Sequence, residues 1–404
     1  GALVGRNVGQ FFDITRKTPM HDWHEKNNAR FEDVGQWKRA WYYPSNNESM
    51  YDAVQRESKA ARTKAGILDA STLGKIDIQG VDASEFLNRV YTNAWSKLAI
   101  GKCRYGLMLN DDGMVYDDGV TTRLNENHYI MTTTTGGAAT VMGKLEDFLQ
   151  TEWPELKVYL TSVTDHFGTI SVCGPYSKKI LEKITNNIDY SDTNFPHMSF
   201  KEGLIDKIRC RVMRISFTGE LSYEINIQAN YARSVWEKCM EAGKEFGITP
   251  YGTESMHLLR AEKGFIIVGQ ETDGTITPVD LQMDWIVSKK KYDFIGKRSL
   301  YRSDTIREDR KHYVGLLTKN PNEILEEGAQ IVAEVKKKPP MNMVGHVTSS
   351  YYSPNLDKSI ALAVVENGKK LKGKKLYVPM PNKTIEVTVS DPVFLDKEGK
   401  KLNA

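Results

Sequence analysis

The stretch Gly101–Leu124 reads GKCRYGLMLNDDGMVYDDGVTTRL, and the rest of the chain is interpreted outward from it. It predicts two short strands joined by an Asp-Asp-Gly turn at 111–113, because such a turn between alternating apolar residues is typical of a β-hairpin. The second strand carries two adjacent carboxylates, Asp117 and Asp118. Successive strand residues point to opposite faces, so one of the two acids faces inward if the sheet has a buried side.

The adjacent acids Asp117 and Asp118 have two interpretations, one with an inward carboxylate and one without. A buried charge is costly unless it has a partner, so such a group commonly binds a ligand, accepts a proton or orients a reacting group. Alternatively, both acids lie on a solvated edge of the hairpin and have no chemical role. For an isolated Asp-Asp pair the solvated edge is the favoured interpretation.

Around the hairpin, strand-like and helix-like segments alternate in two similar passes, which predicts two α+β lobes. From residue 311 onward short strands and turns dominate, which predicts a small β-barrel. We therefore expect an irregular N-terminal arm over residues 1–44, two lobes over 45–305 and a barrel domain over 306–404. The aromatic segment Trp37–Pro44 of the arm is too apolar to be left in water, so it is expected to pack on the lobes or on a partner.

Composition excludes several classes of function. The 404 residues carry a net charge of only +3, and the lysines are dispersed, so a nucleic-acid-binding stripe is not predicted. No apolar run approaches the roughly 20 residues of a membrane span. His21 and His24 could form half of a zinc site, but no third ligand is near in sequence, so a structural role is favoured and no metal is predicted.

The cysteines indicate a compartment. They are far apart and form no C-x-x-C pair, which predicts buried thiols in a reducing, cytoplasmic setting rather than disulfides; they are Cys103, Cys173, Cys210 and Cys239.

The hairpin also carries a family resemblance. The segment from Asn110 to Gly119, NDDGMVYDDG, resembles the Asn-x-x-Gly-Gly-x-x-Asp-Asp-Leu hairpin of the aminomethyltransferase family, that of the glycine cleavage T-protein. Met114 and Gly119 depart from that pattern. The resemblance places Asp118 beside the reacting nitrogens of tetrahydrofolate, as the catalytic residue.

The similarity extends over the whole chain. The opening GALVGR, the segment RKTPMHDWHEKNNARFEDVGQWKRAWYYP from Arg16, GTESMHLLRAEKGFIIVGQETDGTITPVDL from Gly252 and the final DPVFLDKEG resemble the folate-binding half of heterotetrameric sarcosine oxidase alpha subunits. Subunits of N-methylglutamate dehydrogenase share the pattern and remain an alternative. The implied fold is α+β: a T-protein-like cloverleaf of two ferredoxin-like lobes plus a C-terminal β-barrel around a folate-binding hole.

The start of the chain suggests a fragment. It has no initiator Met and no G-x-G-x-x-G fingerprint of a dinucleotide-binding half. We expect either a fragment or a subunit encoded without the redox half, with FAD, FMN or NAD only in partner segments or flavoprotein subunits.

Further site residues follow from the resemblance. The segment Arg214–Glu224, RISFTGELSYE, resembles a family motif whose final Glu binds the amino-pyrimidine edge of the pterin, which implies Glu224. A carboxylate can indeed accept two parallel hydrogen bonds from such an edge, although an exposed strand carboxylate is the alternative. The other implied folate-binding residues are Leu73, Tyr105, Thr132, Phe217 and Phe265, each of which could instead be core or strand residues.

The implied activity is capture of a one-carbon unit. A flavoprotein oxidises sarcosine or a similar N-methyl amine to an iminium, which tetrahydrofolate takes up to give 5,10-methylenetetrahydrofolate. Two alternatives remain: a stand-alone aminomethyltransferase or demethylase of the T-protein type, and a folate-binding scaffold without catalysis. The expected ligands are folate and a small iminium, without nucleic acid or membrane.

Overall fold

The computed structural model of the chain describes residues 16–403, and its strands form three open sheets and one closed barrel. The strands are β1 (Arg16–Lys17), β2 (Arg30–Val34), β3 (Trp37–Tyr42), β4 (Ala65–Asp69), β5 (Gly74–Gln79), β6 (Cys103–Leu109), β7 (Val115–Asn125), β8 (His128–Thr133), β9 (Tyr159–Ser162), β10 (Phe167–Cys173), β11 (Thr185–Asn186), β12 (Ser199–Ile205), β13 (Ile208–Arg214), β14 (Ser222–Gln228), β15 (Ile248–Pro250), β16 (Lys311–Thr318), β17 (Gln330–Val332), β18 (Met343–Ser353), β19 (Lys358–Glu366), β20 (Lys375–Met380) and β21 (Lys383–Ser390). The α-helices are α1 (His21–Lys26), α2 (Met50–Thr63), α3 (Ala83–Val90), α4 (Ala138–Asp147), α5 (Ser177–Ile184), α6 (Ala229–Gly243) and α7 (Thr253–Glu262).

Two mixed layers of sheet and helix form the lobes. The first sheet has the order β6-β7-β8-β5-β9, and its apolar face packs on α3 and α4 through Phe86, Leu87 and Leu145. The second has the order β11-β12-β13-β14-β10-β4-β15 and packs on α5 and α6 through residues such as Leu181 and Trp236. Burying one apolar face of each sheet under helices is the standard way in which such layers acquire a core.

The sequence suggested that each lobe is one continuous pass of the chain, and the structure shows that this is wrong. Strand β4 follows α2 directly but lies in the second sheet, where it pairs antiparallel with β10 and parallel with β15. The chain then crosses into the first sheet at β5. The second lobe therefore contains a strand that precedes the first lobe in sequence, and this exchange ties the two lobes together.

The described part of the arm is regular rather than irregular, which corrects that prediction; residues 1–15 lie outside the described residues. Residues 16–42 form a three-stranded sheet of order β1-β3-β2 with helix α1 between β1 and β2. The Trp23 and Trp236 rings are 5.1 Å apart, and Trp41 Nε1 donates to Glu254 Oε2 at 2.8 Å. Tyr43 is 5% exposed, so the aromatic segment packs on the lobes as predicted.

The C-terminal strands close into a barrel. Their order is β16-β19-β18-β17-β20-β21, with the last strand paired back to β16. Its interior is filled by aliphatic side chains, among them Leu316, Val347, Val365 and Val378. The predicted fold class, two α+β lobes and a C-terminal β-barrel, is confirmed.

A buried ion-pair hub joins the parts. Arg62 of α2 donates through Nε to Glu262 of α7 at 2.8 Å and through Nη1 to Glu220 of the second lobe at 3.0 Å. Glu262 also accepts hydrogen bonds from Ser353 and Asn355 of the barrel domain. These residues fix helix α7 between the lobes and the barrel.

Two further features bear on the sequence predictions. All four cysteine thiols are buried and unpaired, as predicted. Across residues 16–403, no helix has the length and apolar character that crossing a bilayer requires.

Candidate functional site

The two adjacent acids of the hairpin point in different directions, and neither lies on a solvated edge. Strands β6 and β7 pair so that Leu107 faces Asp118 and Tyr105 faces Val120. This register puts Tyr105 on the same face as Asp118, and its hydroxyl donates to Asp118 Oδ2 at 2.6 Å. Burial raises the pKa of Asp118 to about 7; the tyrosine hydrogen bond opposes the rise and the charge of Asp117 adds to it.

Asp117 serves a different purpose. It is 1% exposed, and its Oδ1 accepts from the amide of Asp118 at 2.8 Å and from that of Thr134 at 3.3 Å. Its Oδ2 accepts from the Thr134 hydroxyl at 3.3 Å, and burial raises its pKa to about 6. Asp117 therefore holds the turn between β8 and α4, while the side chain of Asp118 is directed to the opposite face of β7.

Glu224 lies in the middle of the second sheet. It sits on β14 opposite Ser171 of β10 and Met213 of β13. Its carboxylate accepts no hydrogen bond from the described residues 16–403, and burial raises its pKa to about 7 against the opposing charge of Lys75. A half-buried carboxylate without a donor has unused capacity for a ligand.

Lys75 is a residue that sequence reasoning missed. It is 1% exposed, and its ammonium donates to the carbonyls of Ser71 at 2.9 Å and Leu73 at 3.0 Å. Burial lowers its pKa to about 8, while Asp69 and Glu224 favour its charged form. No signal in the sequence pointed to it, because Lys75 alternates with Ile76 and Ile78 and shares the polar face of the strand with Asp77.

Four other predicted site residues, Phe217, Phe265, Tyr105 and Leu73, contact one another or residues already described. The rings of Phe217 and Phe265 stack with centroids 6.3 Å apart, although they lie on two different loops. Tyr105 packs on the same apolar cluster as Ile266, which follows Phe265 in sequence. The backbone carbonyl of Leu73 accepts a hydrogen bond from the Lys75 ammonium.

Thr132 is used by the fold. Its hydroxyl accepts from the amide of Val120 at 2.9 Å and donates to the carbonyl of Val120 at 3.0 Å. The two strands approach so closely that a Cβ on Gly119 would lie 1.9 Å from the carbonyl oxygen of Thr132. With its hydroxyl engaged, Thr132 offers a ligand chiefly its methyl group.

The first and second sheets contact each other near these residues. A small apolar cluster contains Cys103 of the first sheet together with Met213 and Ile215 of the second. The hydroxyl of Thr122 in β7 donates to the sulfur atoms of Cys103 at 3.2 Å and Met213 at 3.7 Å. Because Met213 is the strand partner of Glu224, this contact places that part of the second sheet against β7 at Thr122, four residues from Asp118.

A cleft of about 430 Å³ opens beside this region, but none of the seven predicted site residues lines it. Its walls include Arg39 of the arm sheet, Asp117, Gly136 and Gly137 at the start of α4, and Ile267. A more open depression of about 650 Å³ lies on the barrel around Lys319 and Tyr377, away from all of these residues.

Comparison with known proteins agrees with this architecture. The sequence model of the GCVT N-terminal domain matches residues 20–291, and that of the glycine cleavage T-protein C-terminal barrel domain matches residues 311–396. A solved aminomethyltransferase T of the glycine cleavage system, from Bartonella henselae, superposes with a TM-score of 0.82 at 24% identity, covering 95% of this chain and 98% of that one. That likeness concerns the fold.

Curated relatives fall into two groups. Sarcosine oxidase subunit alpha of Corynebacterium sp. (strain P-1) is 53% identical over 403 residues, which are 99% of this chain and 42% of that protein. The aminomethyltransferase of Caldanaerobacter subterraneus subsp. tengcongensis is 30% identical over 390 residues, 96% of this chain and 98% of that protein. The chain thus spans less than half the length of the first relative and nearly all of the second.

Proposed function

Because the chain belongs to the glycine cleavage T-protein family, we propose that it is a folate-dependent enzyme component that captures the one-carbon unit formed when sarcosine or a similar N-methyl amine is oxidised. The observation that supports this most directly is the pair of undercompensated carboxylates, Asp118 and Glu224, on facing sheets. Their pKa values are both raised to about 7 by burial.

The residues of the site fit a reduced folate. The Glu224 carboxylate has no hydrogen-bond donor among the described residues, so it can accept two hydrogen bonds from the amino-pyrimidine edge of a pterin. The stacked rings of Phe217 and Phe265 offer an apolar surface for an aromatic ring. Tetrahydrofolate, when bound, supplies the nitrogens that take up a one-carbon unit.

Asp118 is proposed to act on the reacting groups. An iminium carries positive charge, which a partly buried carboxylate stabilises better than water does. Transfer of the carbon to two folate nitrogens would break its bond to the amine, and the two protons lost by those nitrogens would leave with the demethylated amine. A carboxylate with a pKa of about 7 is suited to pass one of these protons to the amine at neutral pH. Tyr105 holds one oxygen of this carboxylate in place. Exclusion of water protects the iminium from hydrolysis to formaldehyde.

The partners are proposed from the same relatives. The more similar of the two relatives carries the name of an oxidase subunit, so we expect flavoprotein segments or subunits to supply the iminium and to hold FAD, FMN or NAD. The four buried free thiols suit a reducing, cytoplasmic setting.

The test combines two measurements on the chain with a sarcosine-oxidising flavoprotein. Calorimetry is expected to show one tetrahydrofolate bound per chain, and the isolated chain is expected to show no flavin absorbance. The chain should divert the product of sarcosine oxidation from free formaldehyde to 5,10-methylenetetrahydrofolate. A stoichiometric flavin bound to the isolated chain would contradict the proposal. Formaldehyde release that does not change when the chain is added would also contradict it.

A stand-alone aminomethyltransferase is the second candidate, favoured by relatives that this chain covers almost completely. The two functions differ in the donor. Activity with an aminomethylated lipoyl carrier, and none with the oxidised N-methyl amine, would establish the second one. Neighbouring genes for flavoprotein subunits or for lipoyl carriers give the same distinction.

A further inference from the structure

The cleft beside the site contains an arginine whose hydrogen-bonding capacity is unused. Arg39 of β3 lines the cleft, and its side chain is 15% exposed. Its Nε is buried and has no hydrogen-bond partner among residues 16–403. The nearest carboxylate oxygen, Glu32 Oε1, lies 3.8 Å from this Nε, which is beyond hydrogen-bonding distance.

An unused guanidinium facing a cavity indicates a ligand. Guanidinium presents five N–H donors in a fixed fork that matches a carboxylate, and burial of such donors without acceptors costs free energy. Glu32 leaves Arg39 incompletely paired, because its Oε1 instead accepts a hydrogen bond from the Thr253 hydroxyl at 2.5 Å.

The wall across the cleft also offers donors. Helix α4 is ten residues long, and its N-cap, Gly137, provides no side-chain cap. Gly136, Gly137 and Thr140 line the cleft, so the free amides of the first helical turn lie at its edge. These amides carry the positive end of the helix dipole and favour an anion.

The other walls limit the kind of anion. Val34, Ile267 and Val268 make part of the lining apolar. The negative charge of Asp117 in the same lining is engaged by the amides of Asp118 and Thr134. A small organic carboxylate satisfies the donors and tolerates the apolar contacts.

We propose that this cleft is a carboxylate-binding subsite in which Arg39 and the first-turn amides of α4 hold the anion. The inference rests on the proposed function for the source of that carboxylate. It belongs either to the amino acid that carries the one-carbon unit or to the glutamyl end of the folate. Asp117 lines the cleft and Asp118 follows it on β7 with its side chain on the opposite face, so β7 itself separates the subsite from the reactive acid.

The experiment measures binding to the full chain by calorimetry with four probes. Glycine carries a carboxylate that methylammonium lacks, and tetrahydrofolate carries glutamyl carboxylates that tetrahydropteroyl amide, its counterpart without the glutamyl group, lacks. We expect Arg39→Gln to weaken binding of glycine or of tetrahydrofolate about tenfold to a hundredfold, since a charge-assisted pair is lost. Binding of the probes without that carboxylate should change by less than about twofold.

Two controls accompany this variant. Arg39→Lys should recover part of the binding, because it keeps the charge but loses the planar fork. Arg89→Gln, at a surface arginine paired with Glu85 and Glu155, should bind all four probes as the unmodified chain does.

A second pair of variants tests the cleft with Arg39 left in place, so the test still holds if Arg39→Gln fails to fold. A Cβ on Gly136 would have no atom within 4 Å, so side chains fit there. Gly136→Asp places a negative charge at the cleft and should weaken carboxylate binding at least about fivefold relative to the isosteric Gly136→Asn, because like charges repel at close range.

The outcomes distinguish the amino acid from the glutamyl group as the source of the carboxylate. They also distinguish failure of the subsite from failure of the proposed function. Loss confined to glycine assigns the subsite to the amino acid, and loss for tetrahydrofolate but not tetrahydropteroyl amide assigns it to the glutamyl group. Absence of any folate binding with an Arg39-dependent glycine site would overturn the proposed function alone. Unchanged binding of every probe in Arg39→Gln, or equal binding in Gly136→Asp and Gly136→Asn, would overturn the subsite.

Discussion

The buried carboxylates of this chain are held in two different ways. Glu262 of the ion-pair hub accepts from Arg62, Ser353 and Asn355, so its charge is fully surrounded by donors. In contrast, Asp118 accepts one side-chain hydrogen bond, from Tyr105, and Glu224 accepts none from the described residues. Glu262 is fully buried, whereas Asp118 and Glu224 are partly buried.

The difference separates structural acids from acids that await a ligand. A buried charge with a complete set of donors fixes the packing of its surroundings, while one without donors keeps the folded state less stable than it could be. Burial raises the pKa of Asp118 and Glu224 to about 7, which is the physical sign of that missing compensation. Each prediction below alters one side of this comparison.

Arg62→Met is expected to have the largest effect, and it acts on stability. The substitution leaves Glu262 buried without its cation and Glu220 with only Lys401, and breaking such a buried pair typically costs about 3–5 kcal/mol. Urea unfolding should show this loss in the free energy of unfolding. Arg89→Met removes a surface arginine instead and should cost at most about 1 kcal/mol. Equal losses in the two variants would show that the hub does not hold the fold.

Asp118→Asn is expected to have the next largest effect, on the reaction. It keeps the shape and an acceptor for Tyr105 but removes the charge and the basic site. Capture of the methylene unit should fall about a hundredfold or more, while the folate dissociation constant changes by less than about threefold. The yield of methylenetetrahydrofolate per sarcosine oxidised measures it. An unchanged yield would make Asp118 a structural strand residue.

Glu224→Gln should act on binding rather than on the reaction. Loss of a charge-assisted pair typically costs about 1.5–3 kcal/mol, so the dissociation constant for tetrahydrofolate should rise about tenfold to a hundredfold. At saturating folate the capture rate should be nearly unchanged. A variant that binds folate as tightly as the unmodified chain would remove Glu224 from the site.

Tyr105→Phe should have the smallest effect, and its direction is diagnostic. The hydroxyl stabilises the charged form of Asp118, so its loss raises the pKa of Asp118 further. The capture rate at pH 7 should fall about twofold to tenfold and recover toward pH 9, where Asp118 is again ionised. A loss that is the same at every pH would indicate a purely structural role for Tyr105.

The fold was largely predictable from the sequence. The hairpin at 111–113, the alternation of strands and helices and the short C-terminal strands indicated two lobes and a barrel, because these patterns are local. The placement of β4 in the second sheet was not predictable, since strand order depends on long-range pairing. The arm sheet was missed because its strands are short and rich in charged and aromatic residues.

The candidate site was predictable only in part. Alternation along a strand required Asp117 and Asp118 to diverge, and the structure shows which one meets Tyr105. Lys75 and Arg39 were missed because a single basic residue in a strand carries no pattern. Their importance arises from elements that are distant in sequence, and only the packed structure brings those elements together.

The most direct test of the account counts the protons released when tetrahydrofolate binds. Because burial raises its pKa to about 7, Glu224 is partly protonated at pH 6.5 in the free chain, and it must be ionised to accept hydrogen bonds from the pterin. Binding should therefore weaken as the pH falls through 7. Calorimetry at pH 6.5 in buffers of different ionisation enthalpy should show more protons released per bound folate by the unmodified chain than by Glu224→Gln. Equal proton release by the two proteins would contradict the claim that an undercompensated carboxylate marks the folate site.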